Sequence, residues 1–142
     1  GIMGEDLPDE HNSVSLDERL TDSSGLPAPK ITYSVSENSR ALVDHGIAQG
    51  RIVMQEAGAS EVIVNRQVRE TGWHLLGTAR MGDDPKRSVV DNYGQSHDID
   101  NLFIVDGSVF VTAGAVNPTP TIQAIALRTA DYIANERNDL KA

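Results

Sequence analysis

The stretch NLFIVDGSVFVTAGAVNPTPTIQAIALRTADYI, residues 101–133, predicts a strand, a loop and a helix in direct succession. Residues 102–105 are apolar without interruption, which is typical of a strand in a sheet that is covered on both faces. Residues 119–136 show helical spacing of apolar and small side chains, at Ile122, Ile125, Ala126, Thr129 and Ile133. A glycine-containing loop therefore joins the end of a strand to the start of a long helix.

The start of this helix is a candidate ligand site. Asn117 or Thr119 is expected to cap it, and Pro118 or Pro120 fits the first turn, where no amide donor is needed. The free amides and the positive end of the helix dipole favour an electron-rich ligand group. A strand followed by such a loop and helix places ligands beyond the carboxyl end of the strand. The alternative, and the commoner use of this pattern, is an ordinary capped helix packed on a sheet.

Upstream, the alternation of apolar and polar residues predicts strands at 12–17 and 31–35 and a short strand at 61–65. Residues 21–30 predict a loop or turn. A helix is expected over 36–57, capped by Ser36 or Asn38 and ended by Gly58. Gly46 and Gly50 lower its helix propensity, which indicates close packing there. These elements predict an α+β fold, with the helix lying against an antiparallel sheet.

The composition narrows the class of protein. The chain has 142 residues, a formal net charge of −9 and no cysteine. The negative charge and the scattered basic residues argue against a nucleic-acid or anionic-membrane surface. Without cysteine there is no disulfide, thiol nucleophile or cysteine-based zinc site. No apolar run approaches the length of a membrane helix, and GIMGEDLPDE lacks a signal-peptide pattern, so the compartment stays open.

His74, in GWHLLGTARMGDD (residues 72–84), has three interpretations. It is flanked by Trp73 and two leucines, and in such a context a buried neutral imidazole is the commonest case. It could instead bind a metal or transfer a proton. The sequence argues against a metal site, because the other histidines are scattered without paired spacing, and no metal ligand is assigned. A serine hydrolase is also weakly supported, because Ser108 in DGSVF lacks the second glycine of Gly-x-Ser-x-Gly.

Taken together, WHLLGTARMG and VVDNYGQSHDIDNLFIVDGSVFVTAGAVNPTPTIQAIALRTADYI resemble the C-terminal region of glucose–methanol–choline (GMC) oxidoreductases. These are FAD-dependent alcohol and sugar oxidases and dehydrogenases. The resemblance rests on His-x-x-Gly-Thr-x-x-Met, then Val-Asp, Asn-Leu-x-(Ile/Val)-x-Asp-Gly-Ser and Asn-Pro-x-x-Thr, in that order. Residues 5–38 are similar to the sugar and polyol dehydrogenase branch, including gluconate-type enzymes.

The resemblance implies a division of the chain. Residues 1–100 would belong to the substrate-binding portion of such an enzyme. Residues 101–142 would supply the final strand, loop and helix of its FAD-binding layer. In the isolated chain this last helix would lose its sheet neighbours, so its face of Ile122, Ile125 and Ile133 is expected to be exposed and open to homodimerisation or rearrangement.

The resemblance also implies roles for individual residues. His74 corresponds to the histidine that handles the proton of the substrate hydroxyl, and Asn117 to its hydrogen-bonding partner. Asp106 and Gly107 would approach the diphosphate or ribityl part of FAD. Asn117, Pro118 and Thr119 would approach the flavin ring. Arg80 could steer an acidic sugar, although a structural arginine is the commoner case.

One departure from the family pattern is important. The family binds the adenosine half of FAD through an N-terminal Gly-x-Gly-x-x-Gly unit, which these 142 residues do not contain. The chain is therefore expected to be the C-terminal part of a longer enzyme, with the N-terminal FAD-binding portion as its partner and an alcohol or sugar as substrate. The alternative is a non-catalytic assembly or regulatory module that retains the motif. The substrate and the electron acceptor stay open.

Overall fold

The computed structural model describes residues 1–66, 74–114 and 116–136. It contains strands β1 (Ser13–Thr21) and β2 (Pro27–Thr32), helices α1 (Glu37–Glu56) and α2 (Thr119–Asn135), and a 3-10 turn at Gly107–Val109. The chain divides into two compact units, Gly1–Glu70 and Thr71–Ala142. An antiparallel sheet with separate helices confirms the α+β class. Among the described residues, neither helix combines the length and apolar character needed to cross a membrane.

β1 and β2 form an antiparallel hairpin in the first unit. Val14 pairs with Ile31 and Leu16 with Pro29, so the alternation expected from the sequence is present. The second strand begins at Pro27, inside the predicted loop of residues 21–30, and ends at Thr32, before the predicted end of 31–35. The loop is shorter than expected because the Asp22 carboxylate accepts hydrogen bonds from the amides of Ser24 and Leu26, 2.8 and 2.9 Å away.

The predicted strand at 61–65 is wrong, since these residues have no regular structure. The prediction that the helix lies against the sheet is also wrong, because α1 and the hairpin do not pack face to face. Short apolar runs form strands only where a neighbouring strand offers backbone partners. The described part of the first unit supplies those partners only between β1 and β2.

α1 begins and ends close to the predicted residues. The Ser36 hydroxyl accepts a hydrogen bond from the Ser39 amide, 3.1 Å away, and caps the helix. Gly58 follows its last turn with a φ of 88°. A Cβ at Gly46 or Gly50 would come within 2.9 or 2.8 Å of the Ile2 side chain. The two glycines therefore form a shallow notch for the N-terminal segment, which confirms the close packing expected of them.

Asp6 joins three parts of the first unit. Its carboxylate accepts hydrogen bonds from the Ser39 hydroxyl at 2.6 Å and from the Tyr33 hydroxyl at 2.5 Å. Ionisation of Tyr33 would place two negative charges side by side, and the bond to Asp6 raises the pKa of Tyr33 to about 12. The N-terminal segment, the end of the hairpin and the start of α1 are thus held by one carboxylate.

The second unit has a small core of Val90, Val109 and Thr129, all nearly fully buried. The predicted strand at 102–105 is wrong. Only an isolated bridge between Gln95 and Phe103 forms, supported by a 2.8 Å hydrogen bond from the Ile104 amide to the Gly94 carbonyl. A continuous β-ladder needs several consecutive residues with backbone partners. The segment from Gly94 to Ser96 provides only a few such partners.

α2 confirms the predicted helix but not its cap. Pro118 occupies the capping position, and no side chain caps the helix, so neither Asn117 nor Thr119 has that role. The face formed by Ile122, Ile125 and Ile133 is half-buried within the unit, which corrects the expectation of an exposed face. The homodimer predicted from that exposure stays a prediction.

Candidate active site

Three segments that carry predicted site residues meet at Gly107. A Cβ built there would lie 2.6 Å from Leu76 Cδ2, 3.2 Å from the Leu75 carbonyl oxygen and 3.3 Å from Ile122 Cδ1. Leu75 follows His74 directly, and Ile122 lies in the first turn of α2. Any side chain larger than hydrogen would separate these segments, because closely packed interiors leave no space for an added methyl group.

Backbone hydrogen bonds extend this contact along the chain. The amides of Gly77, Ala79 and Met81 donate to the carbonyls of Gly107, Ser108 and Val109, at 3.3, 2.9 and 2.9 Å respectively. The segment after His74 therefore runs beside the 3-10 turn for three successive bonds. This pairing fixes the position of the backbone that leads to His74.

His74 itself is exposed and has a left-handed backbone conformation, with a φ of 59°. Non-glycine residues rarely adopt such a conformation, and those that do often occur at functional sites. The interpretation of His74 as a buried core imidazole is therefore wrong for this structure. The described residues also contain no group of three His, Asp or Glu side chains arranged to hold a metal ion.

Asp106 stands at the start of the 3-10 turn. Its carboxylate accepts a hydrogen bond from the Ser108 amide, 2.7 Å away, and so caps the turn. The bond from the Ser108 side chain, followed by that from the backbone amide, lowers the pKa of Asp106 below the ordinary carboxyl value. Asp106 is thus an exposed carboxylate that is held in its ionised form.

The start of α2 has unused hydrogen-bonding capacity. With Pro118 at the cap and no side-chain cap bond, the first-turn amides of Thr119 and Thr121 have no partner within the helix. Asn117 and Thr119 are both exposed, and Pro118 is half-buried. This end of the helix can donate hydrogen bonds and stabilise negative charge on a ligand.

A cluster that the sequence did not reveal anchors the other half of α2. The Tyr93 and Tyr132 rings stack at 4.1 Å, and the Arg128 guanidinium lies 4.5 Å from the centre of the Tyr93 ring. The Thr129 hydroxyl donates to the Tyr93 carbonyl and Arg128 to the Asn92 carbonyl, both at 2.8 Å. The four-residue spacing of Arg128 and Tyr132 indicates that both lie on the same side of α2. The turn that carries Tyr93 is remote in sequence, however, so the sequence did not show that the three residues meet.

Arg80 has a structural contact rather than a free guanidinium. Its Nε donates to the Arg87 carbonyl at 2.6 Å. Nearby, the Ser88 hydroxyl and the Gly82 carbonyl both lie 3.0 Å from Nε2 of His97. These bonds close the loop between Arg80 and Ser88, which favours the structural interpretation of Arg80.

Two surface depressions of the second unit are lined by residues other than those predicted for the site. One of about 250 Å³ is lined by Tyr93, Arg128 and Tyr132, among others, and a second of similar volume by residues including Arg80, Ser88 and Val111. Neither is lined by His74 or Asn117. The structure brings the backbone segments of the predicted site together and leaves the side chains of His74 and Asn117 exposed.

Residues 8–126 match the family described as GMC oxidoreductase. The chain is 45% identical over 140 residues to a 2-methyl-1,2-propanediol dehydrogenase of Mycolicibacterium austroafricanum, covering 98% of this chain and 25% of that protein. It is 35% identical over 132 residues to the fructose dehydrogenase large subunit of Gluconobacter japonicus, covering 92% and 24%. The chain thus spans about a quarter of the length of these relatives.

A solved structure supports the fold alone. The pyridoxine 4-oxidase from Mesorbium loti aligns with a TM-score of 0.68 and 21% identity, over 92% of this chain and 29% of that one. At this identity the likeness concerns only the path of the backbone.

The packing at Gly107 can be tested in the 142-residue chain. Gly107→Ala should lower the free energy of unfolding by about 1–3 kcal/mol, because the new methyl group has no space between Leu76 and Ile122. Urea unfolding measures the change. Gly114→Ala is the matched control, since a Cβ there meets no atom within 4 Å. Equal effects of the two substitutions would contradict the close approach at Gly107.

The ionisation of Asp106 provides a second test. Ser108→Ala should raise the pKa of Asp106 toward its ordinary value, because the hydroxyl donor is lost whereas the backbone amide remains. A lowered pKa stabilises the fold above the ordinary carboxyl pKa, and this stabilisation is lost as the pH falls through the folded-state pKa. The variant should therefore lose stability near neutral pH but little in strong acid.

A carbon-13 NMR titration of the Asp106 carboxyl measures this shift. Asp17 serves as an internal reference, because the backbone amides of Arg19 and Leu20 lower its pKa independently of Ser108. An Asp106 titration that Ser108→Ala leaves unchanged would show that the hydroxyl bond does not form in solution.

Proposed function

From the premise that this chain belongs to the GMC oxidoreductase family, we propose that it is the C-terminal catalytic part of a flavin-dependent alcohol or sugar dehydrogenase or oxidase. Its relatives include a polyol dehydrogenase and a sugar dehydrogenase subunit, and each is about four times as long as the chain. The proposed substrate is accordingly a small alcohol, polyol or sugar with an oxidisable CH–OH group.

The observation that carries this proposal is the meeting of three segments at Gly107. The chain that follows His74, the turn that begins at Asp106 and the first turn of α2 approach one another there without an intervening side chain. An acid–base group, a carboxylate and an open helix end then lie on adjoining segments. Oxidation of an alcohol needs such a set beside one binding site.

The residues present fit the flavin cofactor that the family uses. The uncapped start of α2, at Pro118 and Thr119, offers amide donors to the electron-rich edge of a flavin ring. Asp106 is exposed and accepts a hydrogen bond from the Ser108 amide, so its carboxylate can also accept hydrogen bonds from hydroxyl groups of FAD. When bound, FAD accepts the carbon-bound hydrogen of the substrate as hydride.

His74 is proposed to remove the proton of the substrate hydroxyl. Imidazole has an ordinary pKa close to neutral pH, so it can accept a proton in one step and release it in another. Its side chain is exposed, so a substrate can reach the ring. Asn117 cannot act as a base, but its amide can donate a hydrogen bond that orients the substrate oxygen.

The remaining parts of the site are proposed to come from outside this chain. The depressions lined by Tyr93 or by Arg80 are shallow, and a small-molecule site usually encloses most of its ligand. We infer that the portion with the Gly-x-Gly-x-x-Gly unit completes both the FAD site and the substrate cavity. Residues 1–100 would then contribute to the substrate side and residues 101–142 to the FAD side.

The role of His74 can be tested in the full-length protein. His74→Ala should leave flavin bound but slow its anaerobic reduction by substrate by about 10²–10⁴-fold, because a positioned base contributes that much to proton transfer. Stopped-flow absorbance with a panel of sugars, polyols and sugar acids measures the rate. His45→Ala, which removes an exposed histidine of α1, should reduce at the rate of the unchanged protein.

Two results would refute the assignment of His74. Flavin reduction at the unchanged rate would show that another group accepts the proton. Loss of flavin from the variant would show that His74 serves cofactor binding instead.

The division of the FAD site can be tested with the 142-residue chain. It should bind FAD weakly or not at all, because it has no Gly-x-Gly-x-x-Gly unit to hold the adenosine half. Flavin fluorescence titration measures the affinity, with the full-length protein as the positive control. Tight, stoichiometric binding by the short chain would contradict the proposal.

A further inference from the structure

α2 contacts the rest of the second unit at two points on one of its faces. Ile122 lies in its first turn, beside Gly107, and Thr129 lies seven residues later. Seven residues are almost two full turns of an α-helix, so these two side chains share one face and stand about 10 Å apart along the helix axis. Two contacts on one face restrict both the rotation of the helix about its axis and its tilt.

Thr129 makes the second contact through a hydrogen bond. Its side chain is 2% exposed, and its hydroxyl donates to the Tyr93 carbonyl at 2.8 Å. Threonine within a helix can instead donate to a carbonyl of the preceding turn, but a hydroxyl has one hydrogen, so the bond to Tyr93 replaces that local bond. Arg128 donates to the Asn92 carbonyl, also at 2.8 Å. Two consecutive residues of α2 therefore donate to two consecutive carbonyls of a remote segment.

The segment that accepts these bonds is a tight turn, residues 91–95, which we name the anchor turn. The Asp91 carboxylate accepts hydrogen bonds from the amides of Tyr93 and Gln95, at 2.8 and 3.0 Å. The Gly94 amide donates to the Asp91 carbonyl at 3.1 Å. These bonds constrain the peptide groups of the turn, so the Tyr93 carbonyl is an acceptor with a defined position.

The anchor turn is joined to the backbone that leads to Gly107. The Ile104 amide, three residues before Gly107, donates to the Gly94 carbonyl at 2.8 Å. A Cβ at Gly94 would lie 2.5 Å from the Ile104 carbonyl oxygen and 3.6 Å from the Thr129 hydroxyl oxygen. Thr129 and Ile122 thus contact two ends of one connected framework, and a shift of α2 at one contact would change its position at the other.

We propose that Thr129 is a positioning residue for the start of α2, and that its hydroxyl sets the direction of the first-turn amides of Thr119 and Thr121. The Ile122 contact is apolar and therefore not directional, whereas a hydrogen bond is directional and selects one rotation of the helix. Backbone hydrogen bonds join each helical turn to the next, so this rotation is carried to the first turn. The proposal rests on the proposed function in one respect, that these amides face the electron-rich edge of a flavin.

Two substitutions in the full-length flavoprotein separate positioning from packing. Thr129→Val keeps the shape of the side chain but removes the hydroxyl, and so leaves the Tyr93 carbonyl without this donor. Thr129→Ser keeps the hydroxyl and removes the methyl group. Both should lower the Tm, but only Thr129→Val should change the direction of the first-turn amides.

The reduction potential of the bound flavin measures this change, because donors at the electron-rich edge stabilise the negative charge of the reduced form. Thr129→Val should lower the preference of the site for reduced over oxidised flavin about tenfold, which is a fall of about 30 mV for a two-electron couple. Thr129→Ser should have the potential of the unchanged protein. Titration with a chemical reductant and a reference dye measures the potential without any substrate.

Threonine-selective nitrogen-15 NMR gives a second measurement that needs no flavin. The amide resonances of Thr119 and Thr121 should move in Thr129→Val and keep their positions in Thr129→Ser. Ser88→Ala is the control, because it removes a hydroxyl that donates to the Asp84 carbonyl at 2.6 Å in a loop of the same unit. It should lower the Tm but leave the potential and both resonances unchanged.

Three results would overturn the proposal. An unchanged potential with unmoved resonances in Thr129→Val would show that the hydroxyl does not position the helix. Equal shifts in Thr129→Ser would show that packing of the methyl group decides instead. Resonances that move while the potential stays unchanged would show that the first turn does not act on the flavin.

Arg128→Met decides the question if Thr129→Val does not fold. It removes the neighbouring donor at an exposed position, so the core is left intact, and it should lower the potential in the same direction. An unchanged potential in this variant would then overturn the proposal.

The proposed function is tested separately, by flavin reduction with sugars and polyols. A full-length protein whose flavin is reduced by no such substrate overturns the proposed function, while the dye titration and the NMR shifts still decide the role of Thr129. A protein that oxidises its substrate but shows the same potential in both Thr129 variants overturns the positioning role alone.

Discussion

The close approach of three chain segments at Gly107 is the constraint on which the second unit depends. Leu75 and Leu76 contact this glycine from one side and Ile122 from another, at distances that leave no space for a Cβ. The three backbone bonds from Gly77, Ala79 and Met81 follow from the same approach. Since His74 and the start of α2 adjoin these contacts, the absence of one side chain determines where the proposed catalytic groups lie.

The two halves of α2 differ in how they are held. Its later half is fixed to the turn around Tyr93 by ring stacking, by the guanidinium of Arg128 and by the buried hydroxyl of Thr129. Its first turn, by contrast, begins at a proline without a side-chain cap. The first-turn amides have neither a partner within the helix nor a side-chain cap, so they can donate hydrogen bonds to a ligand. Such an end is suited to an electron-rich ligand.

The first unit combines local hydrogen bonds with a sheet of two strands. The cap at Ser36, the notch at Gly46 and Gly50, and the bonds to Asp6 hold α1 and the N-terminal segment. The hairpin has the alternation of a half-buried sheet, yet its apolar side chains remain exposed. Each unit thus leaves one feature open, the apolar side chains of the hairpin in the first and the uncapped start of α2 in the second.

The sequence by itself determined both helices, the alternation of the hairpin and the family motifs, because these depend on neighbours within a few residues. It did not determine whether residues 61–65 and 102–105 would become strands, since a strand needs partners that local sequence does not specify. Nor did it reveal that His74 is exposed or that Tyr93 stacks on Tyr132. Only the tertiary structure decided these points, because they depend on contacts between residues distant in the chain, and the most restrictive of those contacts is made by a glycine with no side chain.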